Sequence, residues 1–332
     1  EPYIPSGFEY IEGTVDTGYV IKDTTLGNEF VWIPVGTGTF TIYATSTNAE
    51  GKVRTSNEIT VEITDMVKNI QAETGNVTNI EYSTGEETGE GDINDKKSIA
   101  YFKKSVFENG GFYFGRYEMG MPGQKSGDDP VLALSNEARN IKGTPVCVSD
   151  VMPWTNIDGD TAKENLESMY NGEVQSAMLN NYAVYTAMNW LGEDLRGNFV
   201  DTFWPATGED LYFKGNWVVI NYSEILGQGE QTEYTYGVDF LGASPSGESV
   251  LLETGTVVKD GVDGREFQFG ANNIYDLRGN AAEYMLRSVD GKNTILNMGG
   301  SFATGPSSGH IYSGTVDTTG SIDVSSRPIL YK

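Results

Sequence analysis

Gly111-Phe112-Tyr113-Phe114-Gly115 places three aromatic side chains in succession between two glycines. Successive residues of a strand point to opposite faces of a sheet, so this strand is apolar on both faces and must lie inside a sheet covered on both sides. The run continues as Arg116-Tyr117-Glu118, which predicts a strand over 112–118. Helices elsewhere can supply the cover. One is predicted from Asn94, with Ile99, Phe102 and Val106 on one face and Asn109-Gly110-Gly111 as its stop. A second opens with Thr161 and Glu164 at capping-box spacing and carries Leu166, Met169 and Tyr170. A third runs from Val174 through Met178, Tyr182, Tyr185 and Trp190 to Gly192. Helices packed on such a sheet give an α+β fold.

The segment before these elements is richer in strands. Tyr19-Val20-Ile21 and Glu29-Phe30-Val31-Trp32-Ile33 read as the first strands of the main domain. Thr39 to Tyr43 and Ile59 to Ile63 alternate with period two around the turn 48–51. From Gly75 to Asp95 the chain turns to Gly, Thr and acids, too polar to bury, and an exposed loop is expected. Beyond Gly192 short strands such as Trp217 to Ile220 stand among Gly, Ser and Asn. The expected organisation is first strands in 1–36, a β-rich insertion and acidic loop in 37–93, and a loop-rich main domain in 94–332. The 33 Phe and Tyr side chains are ample for one large core.

A net charge of −25 with no basic cluster repels phosphate backbones, so no nucleic-acid partner is expected. No apolar run approaches the ~20 residues of a membrane span and no basic-then-apolar leader follows Glu1, so no membrane insertion is expected. The lone Cys147, beside Pro145, Val146 and Val148, reads as a buried thiol. The lone His310 lies in a Gly/Ser segment with no nucleophile-elbow sequence beside it, which argues against a Ser-His-Asp set.

Two stretches are rich in oxygen ligands. Asp276, Asn280 and Glu283 flank Gly279, so a tight turn could gather three side chains around one point. That arrangement serves either calcium or hydrogen bonds to the loop's own backbone. Asn156, Asp158, Asp160, Glu164 and Glu167 echo EF-hand spacing, but Thr161 stands where the loop needs glycine and is expected to be a helix N-cap.

In chain order, seven segments carry a resemblance: Phe30 to Val35, Gly111 to Glu118, Pro153 to Ile157, Met188 to Leu191, Asn273 to Tyr284, Gly299-Gly300-Ser301-Phe302, and Arg327 to Tyr331. Together they resemble the formylglycine-generating-enzyme (sulfatase-modifying factor) type of C-type-lectin-like domain. The resemblance implies that fold, and it adds weight to calcium at Asp276, Asn280 and Glu283, since related domains bind it. Enzymes of this family use a cysteine pair or a histidine-held iron. With one cysteine and one histidine, neither set can be assembled within this chain. A non-enzymatic protein is therefore expected, the alternative being a formylglycine-generating-type or other metal-dependent oxidoreductase.

The stretch Ala303 to Ser326 reads ATGPSSGHIYSGTVDTTGSIDVSS. Lys, Glu, Gln, Met and Trp make up 61 of the 332 residues, so roughly four would be expected among 24, and none occurs. Each residue present can be encoded by a codon ending in a pyrimidine. This pattern, on this scaffold and near its C terminus, resembles the variable proteins of diversity-generating retroelements, in which mutagenesis at template adenines excludes those five residues. The resemblance implies a ligand-binding loop at about 301–326 contributed by Ala303, Thr304, Ser307, Ser308, His310, Ile311, Tyr312, Ser313, Thr315, Asp317, Thr318, Ser321, Asp323 and Ser325. Tyr312 would supply rigid contact area and the serines adaptable hydrogen bonds. Gly299 to Phe302 and Arg327-Pro328 are expected to hold the frame. The implied partner is a protein or glycan receptor on another cell or particle, met at a virion or cell surface.

Overall fold

The computed structural model describes residues 2–35, 40–47, 53–61, 80–83, 91–92, 94–128, 140–191, 251–259, 266–268, 270–277, 280–289, 292–298, 301 and 319–332. They form a mixed α+β structure in which strands predominate. In chain order the strands β1 (Phe8–Glu12), β2 (Val20–Asp23) and β3 (Glu29–Pro34) come first, then β4 (Phe40–Thr47), β5 (Val53–Val61) and β6 (Ile80–Ser83). Next are helix α1 (Ile99–Asn109), β7 (Gly111–Gly115), α2 (Gly159–Glu167), β8 (Gln175–Met178) and α3 (Asn181–Trp190). Two short hairpins follow, β9 (Val257–Lys259) with β10 (Glu266–Gln268) and β11 (Gly270–Ala271) with β12 (Ile274–Tyr275). The chain ends with β13 (Ala282–Val289), β14 (Lys292–Met298), β15 (Val324–Ser325) and β16 (Pro328–Tyr331).

The main sheet has the order β1-β2-β3-β7-β16-β8 with antiparallel neighbours, so strands from both ends of the chain meet in it. The aromatic run lies in β7, where Phe112, Tyr113 and Phe114 are all buried. Phe114 faces Val31 of β3 and Ile329 of β16, while Phe102 of α1 meets Phe112 edge-on at 5.1 Å. The strand ends at Gly115 rather than Glu118, although Arg116 N still donates to the Glu29 carbonyl at 3.0 Å; an added Cβ at Gly115 would stand 2.9 Å from Arg327 Cγ and from the Pro328 carbonyl. Glycine is needed there for close approach. A second sheet, β5-β4-β6, is formed by residues of 40–83. Its third strand, Ile80–Ser83, lies where an exposed acidic loop was expected, pairing in parallel with β4 through Ile42↔Ile80. Local polarity around it masked a four-residue strand.

Helix starts also differ from the sequence reading, each for a capping reason. α1 begins at Ile99, where the Ser98 hydroxyl accepts from Tyr101 N, and ends at Gly110 with φ 74°. α2 is capped by Asp158, whose carboxylate accepts from Thr161 N at 2.7 Å and Thr161 Oγ1 at 2.9 Å, so Thr161 is the capped residue and not the cap. The helix expected from Val174 to Trp190 divides into β8 and α3. Asn180 between them accepts from Ala183 N at 3.0 Å and starts the helix afresh. Apolar residues at 174–179 suit either a strand or a helix, and pairing with Pro328 to Tyr331 decides for the strand. The strand expected at Trp217 to Ile220 and the turn at 48–51 lie outside the described residues.

Candidate recognition loop and its buried base

The loop implied at 301–326 leaves and returns at one place. Ser301 is fully buried, and its hydroxyl donates to Asp323 Oδ2 at 2.8 Å. On the returning side Ser321 Oγ donates to Asp323 Oδ1. The main chain there is pinned twice more, by Ala282 N donating to the Asp323 carbonyl and Asn156 N donating to the Ser321 carbonyl, both at 2.8 Å. Gly320 has φ +88°, and a Cβ on it would come within 3.0 Å of the Ile157 backbone, so this close crossing needs glycine. Ile322 packs on Met152, Leu251 and Ala281. Ala282 and Glu283 then pair in parallel with Val324 and Ser325.

These contacts move one boundary. Ser325 was expected to face a ligand, but it is fully buried in β15, as is Ser326 after it. A side chain without exposed surface cannot touch an outside partner, so Ser325 belongs to the frame. Ser321 and Asp323 are part-exposed and hold the neck of the loop closed. Ala303, Thr304, Ser307, Ser308, His310, Ile311, Tyr312, Ser313, Thr315, Asp317 and Thr318, with the flanking Phe302, lie outside the described residues.

Beneath the neck, Glu283 bonds the Arg327 guanidinium and Asp276 lies within reach of its charge, while Asn280 is turned to Glu118 and Leu252. Arg327 is fully buried. Its Nε donates to Glu283 Oε1 at 2.7 Å, Nη1 to the Gly115 carbonyl at 2.9 Å and Nη2 to the Tyr275 carbonyl at 2.6 Å, with Nη2 also 2.6 Å from Glu283 Oε1. Sequence reasoning missed a further member, Glu118. Glu118 Oε2 accepts from Asn280 Nδ2 at 2.7 Å and its Oε1 from Ala281 N at 2.9 Å. Asn280 Oδ1 accepts from Leu252 N, and Asp276 Oδ2 accepts from Gly255 N at 2.8 Å. The signal for Glu118 was a carboxylate placed just after a strand apolar on both faces.

This donor set does not fit calcium. The oxygens needed for a cage already face N–H donors or a guanidinium, and Asn280 turns its amide nitrogen toward Glu118. Glu283 Oε2 is buried without a hydrogen-bond partner among the described residues, but one open oxygen is far from the six to eight that calcium takes. Among the described residues, no three His, Cys, Asp or Glu side chains converge in a metal-holding group. The second oxygen-rich stretch is similarly engaged: Asp158 caps α2, Glu164 pairs with Lys142 at 2.7 Å and Glu167 with Lys163 at 2.6 Å.

Three carboxyls share one guanidinium in a dry interior, and the charges respond. Burial, followed by the neighbouring Asp276 and Glu283, pushes Glu118 well above the usual carboxylate range. Burial likewise lifts Asp276 to about 6 and Glu283 to about 7, with Arg327 opposing it in both. Arg327 stays charged because Glu283 and Glu118 outweigh its own desolvation. Cys147, adjoining this region, is fully buried, and burial raises its thiol to about 12, far from a reactive thiolate.

No protein-family model, curated protein or solved structure matches the chain. Among the described residues, no helix is long and apolar enough to cross a membrane.

Proposed function

We propose that this chain is a non-enzymatic binding protein that presents residues 303–319 to a protein or glycan receptor. In this reading it is the variable protein of a diversity-generating retroelement, built on a C-type-lectin-like domain of the formylglycine-generating-enzyme type and displayed on a virion or cell surface. The observation that carries the reading is the stitched neck: Ser301 and Asp323, 22 positions apart, are bonded to each other over a fully buried base. A loop hung on such a base can change its side chains freely, since the fold does not need them. The composition of Ala303 to Ser326, lacking Lys, Glu, Gln, Met and Trp, is what mutagenesis at template adenines would leave. Its last residues, from Gly320 on, are frame, which narrows the diversified part to 303–319. The buried, high-pKa thiol of Cys147 also supports a binding role over cysteine oxidation chemistry.

The test is in the neighbouring DNA. A reverse transcriptase gene and a near-copy of the segment encoding 301–326, with adenines at the varied codons, are expected beside the coding sequence. Absence of both would remove the retroelement from the reading. Oxidation of a cysteine-containing peptide by the protein, surviving Cys147→Ala, would replace binding with catalysis.

A further inference from the structure

We propose that Asp323 is the clasp of the recognition loop: its carboxylate takes one hydroxyl from each end of the segment and fixes how those two ends meet. The proposal rests on the reading of that segment as the contact surface and adds a positioning residue to it.

Oδ2 receives Ser301 Oγ from the outgoing chain and Oδ1 receives Ser321 Oγ from the returning chain. Such bonds to an ionised acceptor are about twice as strong as neutral ones. The carboxylate is itself held in place, because the Asp323 carbonyl accepts from Ala282 N next to β13, and Val324 and Ser325 pair with β13 immediately afterwards. Ser301 is fully buried, so its bond to Asp323 is shielded from competing water. Gly320, crossing the Ile157 backbone, leaves the returning chain one route to the clasp. The loop is therefore tied where its ends meet, and a loop tied there loses less freedom on binding than one that swings from its frame. Asp323 thus belongs with the residues from Gly320 to Ser326 that the frame requires, although its codon class alone would admit it to the varied set.

The test is amide hydrogen exchange on the intact chain, with the double-mutant cycle of Ser301→Ala and Asp323→Ala plus the Asp323→Asn variant. Each alanine variant is expected to speed exchange at Asn156, Ala282 and Val324 at least tenfold, with β7 amides unchanged. The double variant is expected to be no faster than Asp323→Ala, since that substitution already removes the bond that Ser301→Ala removes. Asp323→Asn, which keeps one acceptor oxygen and can donate to the other serine, should recover most of the protection. Unchanged neck exchange, additive effects of the two alanines, or equal acceleration throughout the domain would each overturn the clasp. Should Asp323→Ala fail to fold, Ser301→Ala and Asp323→Asn carry the test with the same readouts. No ligand is needed, so a failed clasp leaves the binding reading intact, and an unvarying loop leaves the clasp intact.

Discussion

Replacing Asp276 by Asn should stabilise the protein at pH 8 and flatten its dependence on pH. Asp276 is 4% exposed, its Oδ2 accepts from Gly255 N, and its φ is 57°. Asparagine keeps an acceptor oxygen for Gly255 and tolerates the left-handed backbone, so the exchange removes chiefly a charge. The carboxyl is lifted from 3.8 to about 6, chiefly by burial. The folded state therefore holds this proton more tightly than the unfolded chain does. The contribution to stability is fully present below about 4 and is lost as pH rises through about 6, so the ionised group is a burden at pH 8. The gap of roughly two pH units corresponds to about 3 kcal/mol. Urea unfolding of both proteins at pH 4.5, 6 and 8, in enough salt to screen the surface charge, reads the difference directly. The variant is expected to gain on the parent across that interval by an amount of that order. Parallel pH profiles would refute the reasoning, because they would place no titrating burden at Asp276.

Arg327→Met should cost about 1–3 kcal/mol, since it removes the donors to Glu283 and to the buried Gly115 and Tyr275 carbonyls, while the carboxyls escape a stranded charge by taking up protons. Arg327→Lys should recover little, as one ammonium cannot span Glu283 and the Gly115 and Tyr275 carbonyls; thermal melts of both variants check this. Gly320→Val should lower stability by about 1–3 kcal/mol through its positive φ and the crowding against Ile157, measured by denaturant midpoint. Cys147 should resist a soluble thiol reagent in the native protein at pH 8 and react fully in denaturant; rapid native labelling would contradict its burial.

What could be read from the sequence was what local physics decides. Phe112 to Phe114 could be placed inside a sheet because no other setting covers both faces of that strand. Arg327 could be assigned to the frame by its position against Pro328. The division of 174–190 into β8 and α3 was hidden, because its apolar spacing suits both and the decision rests on pairing with a strand some 150 residues later. The Asp276, Asn280 and Glu283 turn was recognised as a convergence of oxygens, but the cation that Glu283 bonds came from the far end of the chain. Glu118 escaped for the same reason: its partners Asn280 and Ala281 are more than 160 positions away. Ser325 was grouped with the variable residues on composition, a property blind to the parallel pairing that buries it.

The central claim is that residues 303–319 are a diversified contact surface on a fixed neck. Deep sequencing of the segment encoding 295–332 across many copies of the gene from one source population tests it most directly. Substitutions are expected to concentrate at codons 303–319, yielding no Lys, Glu, Gln, Met or Trp, while Ser301, Gly320, Asp323, Ser325 and Arg327 stay constant. Variation spread evenly into the neck, or a segment identical in every copy, would contradict it.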